Sequence, residues 1–300
     1  FGKSGQFKTP KVESTGTGGG FKLFCGGVGV QHPDITNASR AIKSSEKADC
    51  TKNGVKDIVE VKIGFDGIVL AHNKAAKSLE LDLKQLYLAL AKNIPDPKSG
   101  DKLVPNPYKM WSDIDPSLPK QKIEVLGPPP TSGTRDAFVE LGMEGGCKGF
   151  PLLKEMKEKD EKAFKAACQT VREDGAFIEA GENDNLIVQK LGANKDAYGI
   201  FGYSFLEENL ATVKPVIISG SRPTYESIAG GAYPLSRPLF FYVKKAHVGV
   251  IPGIPEFVAE FTSEKAFGPE GYLADRGLIA LPDDQRKQVT ENAKKLVTLK

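Results

Sequence analysis

The sequence predicts an α/β protein built as two lobes, and three observations carry that expectation. Stretches of strand-like and helix-like periodicity alternate along the 300 residues, which is the pattern of α/β folds. Two apolar strands, near 68–73 (continuously apolar over 68–71) and 239–243, read as covered on both faces. They are suited to carry the chain from one lobe to the other and back. Finally, two stretches rich in hydroxyls and glycine, each ahead of a helix-like pattern, fall on either side of the first run. The expected division is 1–73 plus 237–300 as a discontinuous lobe one, with 74–236 inserted as lobe two. The two glycine stretches would then lie on opposite lobes and face a cleft.

The first stretch is Glu13-Ser14-Thr15-Gly16-Thr17-Gly18-Gly19-Gly20-Phe21. It follows residues 7–12, which read as a strand, and precedes Phe21, Leu23 and Phe24, which start a helix. A strand, then hydroxyls among glycines, then a helix start presents backbone N–H groups to an anion. The dinucleotide pattern G-x-G-x-x-G fails because position 21 is Phe21, and no Gly-Lys-Ser/Thr follows.

The second stretch is Gly127-Pro128-Pro129-Pro130-Thr131-Ser132-Gly133-Thr134-Arg135. Before it, 123–126 alternates as a strand does; after it, Ala137, Phe138 and Leu141 fall at helical spacing. Ser132 or Thr131 would cap that helix and leave the Gly133 and Thr134 amides free. Arg135 would sit in the first turn, where the helix dipole disfavours a cation. A bound oxyanion would relieve that conflict, and a guanidinium matches a phosphate bidentately.

A hydrophobic fraction of 40% and a charged fraction of 26% describe an ordinary globular chain. The net charge of +3 comes with no arginine-rich block, which argues against nucleic acid as a partner. No run approaches the ~18 apolar residues of a membrane span, and no signal peptide is visible. Four cysteines form two local pairs, which allows Cys25–Cys50 and Cys147–Cys168 bridges. Each bridge would be worth ~3 kcal/mol and would place the chain in an oxidising compartment; buried free thiols are the alternative.

Residues 34–38 lead to Ser39-Arg40 at a strand end, a hydroxyl beside a guanidinium and so a third oxyanion-type feature, ahead of a polar helix reaching Cys50. Residues 58–63 and 68–71 read as two strands broken by Gly64, Asp66 and Gly67. Leu83, Leu86, Tyr87 and Leu90 mark one face of a helix. The proline-rich stretch 95–119 reads as an ordered loop that Trp111 anchors to the core. A helix spans 132–143, and a long Lys/Glu-rich one spans 152–172. Asp184 reads as a helix N-cap, and 198–203 as a strand. Thr224 caps a short helix ending at Gly230, Pro255 and Glu256 open another, and Pro282 stands at the first position of the last.

Nothing points to catalysis or a cofactor. His32, His72 and His247 show no metal-ligand spacing, and there is no G-x-S-x-G elbow.

Six ordered motifs carry a resemblance. They are Ser14-Thr-Gly-Thr-Gly-Gly-Gly-Phe21, Asp34-Ile-Thr-Asn-Ala-Ser-Arg40, Gly127-Pro-Pro-Pro-Thr-Ser-Gly-Thr-Arg135, Glu182-Asn-Asp-Asn185, Tyr198-Gly-Ile-Phe-Gly-Tyr203 and Pro234-Leu-Ser-Arg-Pro238. Together they resemble the PstS-type phosphate-binding proteins of bacterial ABC phosphate importers, in the form common in alphaproteobacteria. The resemblance implies a two-lobe type II periplasmic binding protein fold with a double-strand hinge and a dehydrated phosphate in the cleft. It implies donors from Thr17, Gly18, Ser39 and Arg40 on lobe one, and from Ser132, Gly133, Thr134 and Arg135 on lobe two. Some relatives carry an aspartate where Arg40 stands, to accept the phosphate proton; here Asp66 and Asp184 are the acids left for that role. Ala41 replaces the family's usual proline. Relatives open with a strand and a hydroxyl-bearing turn ahead of a stretch that Phe1-Gly2-Lys3 resembles. The resemblance thus implies one strand and one set of phosphate contacts fewer.

The expected protein is a periplasmic, monomeric phosphate receptor that delivers inorganic phosphate to a membrane permease and catalyses nothing. Its rivals are a receptor for another oxyanion (sulfate or molybdate), a phosphate-handling enzyme, and a truncated form with weak or lost binding.

Overall fold

The structure, a computed structural model, describes residues 1–13, 15–181 and 183–299. Ser14 of the first glycine stretch and Glu182 of the 182–185 motif lie outside the described residues. The chain divides into two compact units, Phe1–Asp66 with Arg237–Lys300, and Gly67–Ser236. Two strands cross the boundary: Ile58–Asn73 leaves the first unit, and Ser236–Lys244 returns to it.

In the first unit, the strand Ile35–Ala38 runs antiparallel to the returning strand, with Ile35 opposite Val243 and Ala38 opposite Phe240. The returning strand lies beside Ile58–Asn73. Successive side chains of a strand point to opposite faces, and this explains the unbroken apolar run. Phe240 and Tyr242 pack with Phe21, Phe24 and Cys50 from the helices Gly16–Phe24 and Ser44–Lys52. Phe241 and Val243 pack with Val258 and Ala293 from Ile254–Phe261 and Asp283–Lys294 on the other face. Each fully buried aromatic side chain contributes about 1.5–3 kcal/mol.

Three expectations for this unit are corrected. The two strands expected in 58–71 are one strand of 16 residues. Gly64 does not break it but admits a neighbour: a Cβ there would meet the Ile279 carbonyl oxygen at 2.5 Å. Beside it, the Phe65 N–H donates to that oxygen at 2.8 Å and the Ile279 N–H donates to the Phe65 oxygen at 2.9 Å. Residues 7–12, expected as a strand, are not one. Pro10 has no N–H to pair, Val12 is 79% exposed, and alternation without a partner strand makes no sheet. A smaller correction is that Pro282 stands just outside the last helix, at its N-cap.

In the second unit, residues 68–72 run antiparallel to 198–202, with Ile68 opposite Gly202 and His72 opposite Tyr198. Val125–Gly127 lies parallel to both Tyr198–Gly202 and Phe177–Glu179. The helix Leu83–Leu90 buries Leu86, Tyr87 and Leu90, and the Asp82 carboxylate accepts from the Gln85 N–H at its start. Trp111 is fully buried, its ring 5.2 Å from that of Tyr198, so the proline-rich stretch is anchored as expected. The long helix expected over 152–172 is two, Pro151–Lys159 and Glu161–Gln169. Asp160 ends the first in an extended conformation and caps the second, its side chain accepting from the Ala163 N–H at 2.9 Å.

The cysteines form the bridges Cys25–Cys50 and Cys147–Cys168. Among the described residues, no helix is long and apolar enough to cross a membrane.

His72, only 1% exposed, gives the second unit a pH dependence. Its Nδ1 lies 3.0 Å from the Asn73 carbonyl, which only accepts, so Nδ1 carries the proton. Burial, helped by Lys214 and opposed by that hydrogen bond, lowers its pKa from the ordinary 6.5 to about 4. The unfolded state therefore binds the extra proton first. Stability is intact above pH 6.5 and falls towards pH 4, with a loss of about 3 kcal/mol once both states are protonated. Urea unfolding between pH 7 and pH 4 should show this slope, and His72→Phe should flatten it.

Candidate anion-binding site

The glycine-rich helix of the first unit begins at Gly16, so Thr17 and Gly18 occupy its first turn and not a loop before it. Thr15 stands at the N-cap but makes no side-chain capping bond; its hydroxyl goes to the Gly16 carbonyl at 3.4 Å. The first turn carries no acid. Among the described residues, its N–H groups thus lack the usual capping side chain. The Thr17 and Ser39 hydroxyls meet at 3.0 Å, and the Ser39 N–H donates to Thr17 Oγ1 at 3.1 Å. Gly20 permits this approach, because a Cβ there would sit 2.5 Å from Thr36 Oγ1. Gly18 faces open space: among the described residues, a Cβ there would meet nothing within 4 Å beyond its own helix backbone and chain neighbours.

Arg40 follows Ser39 and turns to Glu46. Its Nη1 and Nη2 donate to the two carboxylate oxygens at 2.8 and 2.7 Å, and its guanidinium lies 5.8 Å from the centre of the Phe21 ring. Burial works against the Glu46 charge, but Arg40 and the Lys43 N–H outweigh it and hold the carboxyl below its ordinary range. Asp66 is paired elsewhere in the unit, with Arg237 Nε donating to it at 3.2 Å. Burial raises its pKa, and Arg237 opposes the rise.

In the second unit, Ser132 caps Gly133–Phe138, its hydroxyl accepting from the Thr134 N–H at 3.2 Å. That amide, expected to be free, is therefore partly engaged. The helical run continues through Val139–Met143 to Cys147. Gly133 is exposed, with nothing within 4 Å of where its Cβ would be. Arg135 turns back: Nη1 donates to the Pro128 carbonyl at 3.1 Å, and the guanidinium lies 4.5 Å from the Phe177 ring centre. Burial lowers its pKa, opposed by Glu179, Asp136 and Glu173. The cation in the first turn is thus accounted for by the fold itself, without a ligand.

Asn183, not Asp184, caps the helix Asp184–Ala193, because its side chain accepts from the Asn185 N–H. Asp184 instead accepts from the Gly202 N–H at 3.5 Å, and burial raises its pKa.

The structure thus brings Thr17, Gly18 and Ser39 together in the first unit and Ser132, Gly133 and Thr134 in the second. It turns Arg40, Arg135 and Asp66 towards protein partners. Sequence reasoning missed Glu46 and the Arg237 partner of Asp66. An acid in the first turn of a helix starting at Ser44 was a usable signal for Glu46; nothing local announced Phe177 beneath Arg135. Among the described residues, no group of His, Cys, Asp and Glu could hold a metal ion.

An α/β chain in two units, with hydroxyls and glycines at a helix start in each, has the build of a binding protein. A family model described as a PBP superfamily domain matches residues 1–265. The phosphate-binding protein PstS of Staphylococcus saprophyticus is 30% identical over 305 residues, covering 99% of this chain and 78% of that protein. Protein SphX of Synechocystis is 32% identical over 278 residues, covering 91% of this chain and 70% of that one. The crystal structure of a possible phosphate binding protein from Planctomyces limnophilus has a TM-score of 0.71 at 28% identity, covering 94% of this chain and 86% of that one. The chain belongs to the PstS-type phosphate-binding family of the PBP superfamily, a family of solute-binding receptors.

Proposed function

We propose that the chain is an extracytoplasmic receptor, working as a monomer, that binds inorganic phosphate and hands it to the membrane permease of an ABC importer. It carries out no chemistry. The observation that carries this reading is the pair of open glycines: Gly18 and Gly133 each stand in the first turn of a helix, beside hydroxyls, and among the described residues a Cβ on either would meet nothing within 4 Å beyond its own helix backbone and chain neighbours. Packing does not require glycine at either place, whereas a tetrahedral anion approaching the backbone does. Thr17, Gly18 and Ser39 from the first unit, and Ser132, Gly133 and Thr134 from the second, are the proposed phosphate set; Arg40 and Arg135, expected in it, are left beside it by their bonds to Glu46 and to Pro128. Hydrogen bonds to a charged acceptor are strong enough to hold the anion without a matching cation. Asp184, raised in pKa by burial and holding one long hydrogen bond among the described residues, is better suited to receive a phosphate proton than Asp66, which Arg237 pairs. The two crossing strands would serve as the hinge for closure.

Titration calorimetry with phosphate and sulfate tests the reading. Phosphate should bind more tightly than sulfate. Gly18→Val and Gly133→Val should each lower phosphate affinity about thirtyfold, the equivalent of about 2 kcal/mol of charge-assisted bonding, with melting temperature unchanged. Sulfate binding tighter than phosphate, or full phosphate affinity in both valine variants, would overturn it.

A further inference from the structure

We infer that Glu46 is a positioning residue of the first unit's cradle, holding Arg40 as half of a neutral pair so that this cradle selects its anion by hydrogen bonds and not by net charge. This rests on the phosphate-receptor reading and adds to it a determinant of specificity outside the proposed ligand set.

Both Glu46 oxygens are taken by the guanidinium of Arg40, at 2.7 and 2.8 Å, in the fork geometry that fixes a guanidinium in place. A third donor, the Lys43 N–H, reaches the same carboxylate at 2.9 Å. The pair is sheltered, with side-chain exposures of 31% for Arg40 and 16% for Glu46, so solvent screens it less than an open surface pair. Its platform is fixed as well. Glu46 stands on Ser44–Lys52, and Cys50 of that helix is bridged to Cys25 at the end of the helix that carries Thr17. On the strand side, the Ile42 N–H donates to the Tyr242 hydroxyl at 2.9 Å, and that hydroxyl donates to Glu60 at 2.6 Å. The turn 39–43 is therefore gripped from both directions. Thr17, Ser39 and the first-turn amides beside it are neutral donors. With Arg40 cancelled by Glu46, that cradle presents hydrogen bonds without net charge. A neutral donor set discriminates by the number and direction of acceptors and protons on the guest. An uncancelled cation rewards whichever anion carries more charge.

The test is calorimetry with phosphate and with sulfate at low and at high ionic strength, on the wild type, Glu46→Gln, Glu46→Asp and the double variant Arg40→Gln/Glu46→Gln. Wild-type phosphate affinity should change little with salt. Glu46→Gln should make affinity fall about tenfold between the two ionic strengths and narrow the preference for phosphate over sulfate by a similar factor. Glu46→Asp, which keeps the charge, and the double variant, which removes both charges, should return the salt response to that of the wild type. The last two carry the test even if Glu46→Gln folds poorly. Equal weakening of Glu46→Gln at both ionic strengths for both anions, or a salt response in the double variant as steep as in Glu46→Gln, overturns the inference and leaves the receptor reading standing. A wild type that gives no heat with phosphate overturns both.

Discussion

Reduction of the two disulfides is expected to cost the protein about 6 kcal/mol of unfolding free energy, roughly 3 kcal/mol for each bridge in the chain-entropy model. The bridged cysteines are 25 and 21 residues apart in sequence, and all four are buried. A loss of that size approaches the entire stability of many domains. It would also fall where the proposed function resides. Cys25 ends the helix that begins at Gly16, and Cys147 ends the helical run that begins at Gly133. Each bridge thus fixes the far end of an element whose near end is a proposed phosphate cradle. Urea unfolding of the oxidised chain, the chain in reductant, and the single variants Cys50→Ala and Cys168→Ala measures the two contributions separately. An unfolding midpoint that does not move in reductant would show that packing alone suffices.

Gly146→Val should be worse than any other single glycine substitution considered, at about 3 kcal/mol or more of lost stability. A Cβ on Gly146 would lie 1.9 Å from the Leu83 carbonyl oxygen, 2.6 Å from its carbon and 2.7 Å from Tyr87 Cβ. Two of those atoms are backbone at the start of Leu83–Leu90, so the clash cannot be relieved by a rotamer change; one helix would have to leave the other. Gly145 supplies the comparison, because its Cβ would meet only the end of the Leu83 side chain, at 2.9 Å. The expected order of urea midpoints is wild type and Gly133→Val together, Gly145→Ala lower, and Gly146→Val lowest. If Gly146→Val unfolds at the wild-type midpoint, the close helix contact is absent.

Much of the fold was legible because it depends on local pattern. The face Leu86, Tyr87 and Leu90 is buried as its spacing required, and Thr224 caps Tyr225–Ala229 with Gly230 after it. Errors gathered where a neighbour decided the outcome. Gly64 looked like a strand breaker, but Ile279 needed the space; the alternation at 7–12 looked like a strand, but it has no partner. In the candidate site, hydroxyls and glycines announced themselves at both helix starts, while the partners of the charged groups did not. Arg135 looked like a cation waiting for an anion, yet Pro128 and Phe177 occupy it.

By itself, the sequence determined the α/β class, both hydroxyl and glycine helix starts, and the family, since periodicity, capping chemistry and ordered motifs are written in neighbouring residues. Only the tertiary structure decided which cations are cancelled, which amides are capped, and which glycines face open space. Some of those contacts are close in sequence but follow from how the turn folds, as Arg40 turns to Glu46; others bring distant parts of the chain within a few ångströms, as Arg237 is brought to Asp66 and Tyr242 to Ile42, and short-range forces act on that distance, whatever the separation in sequence.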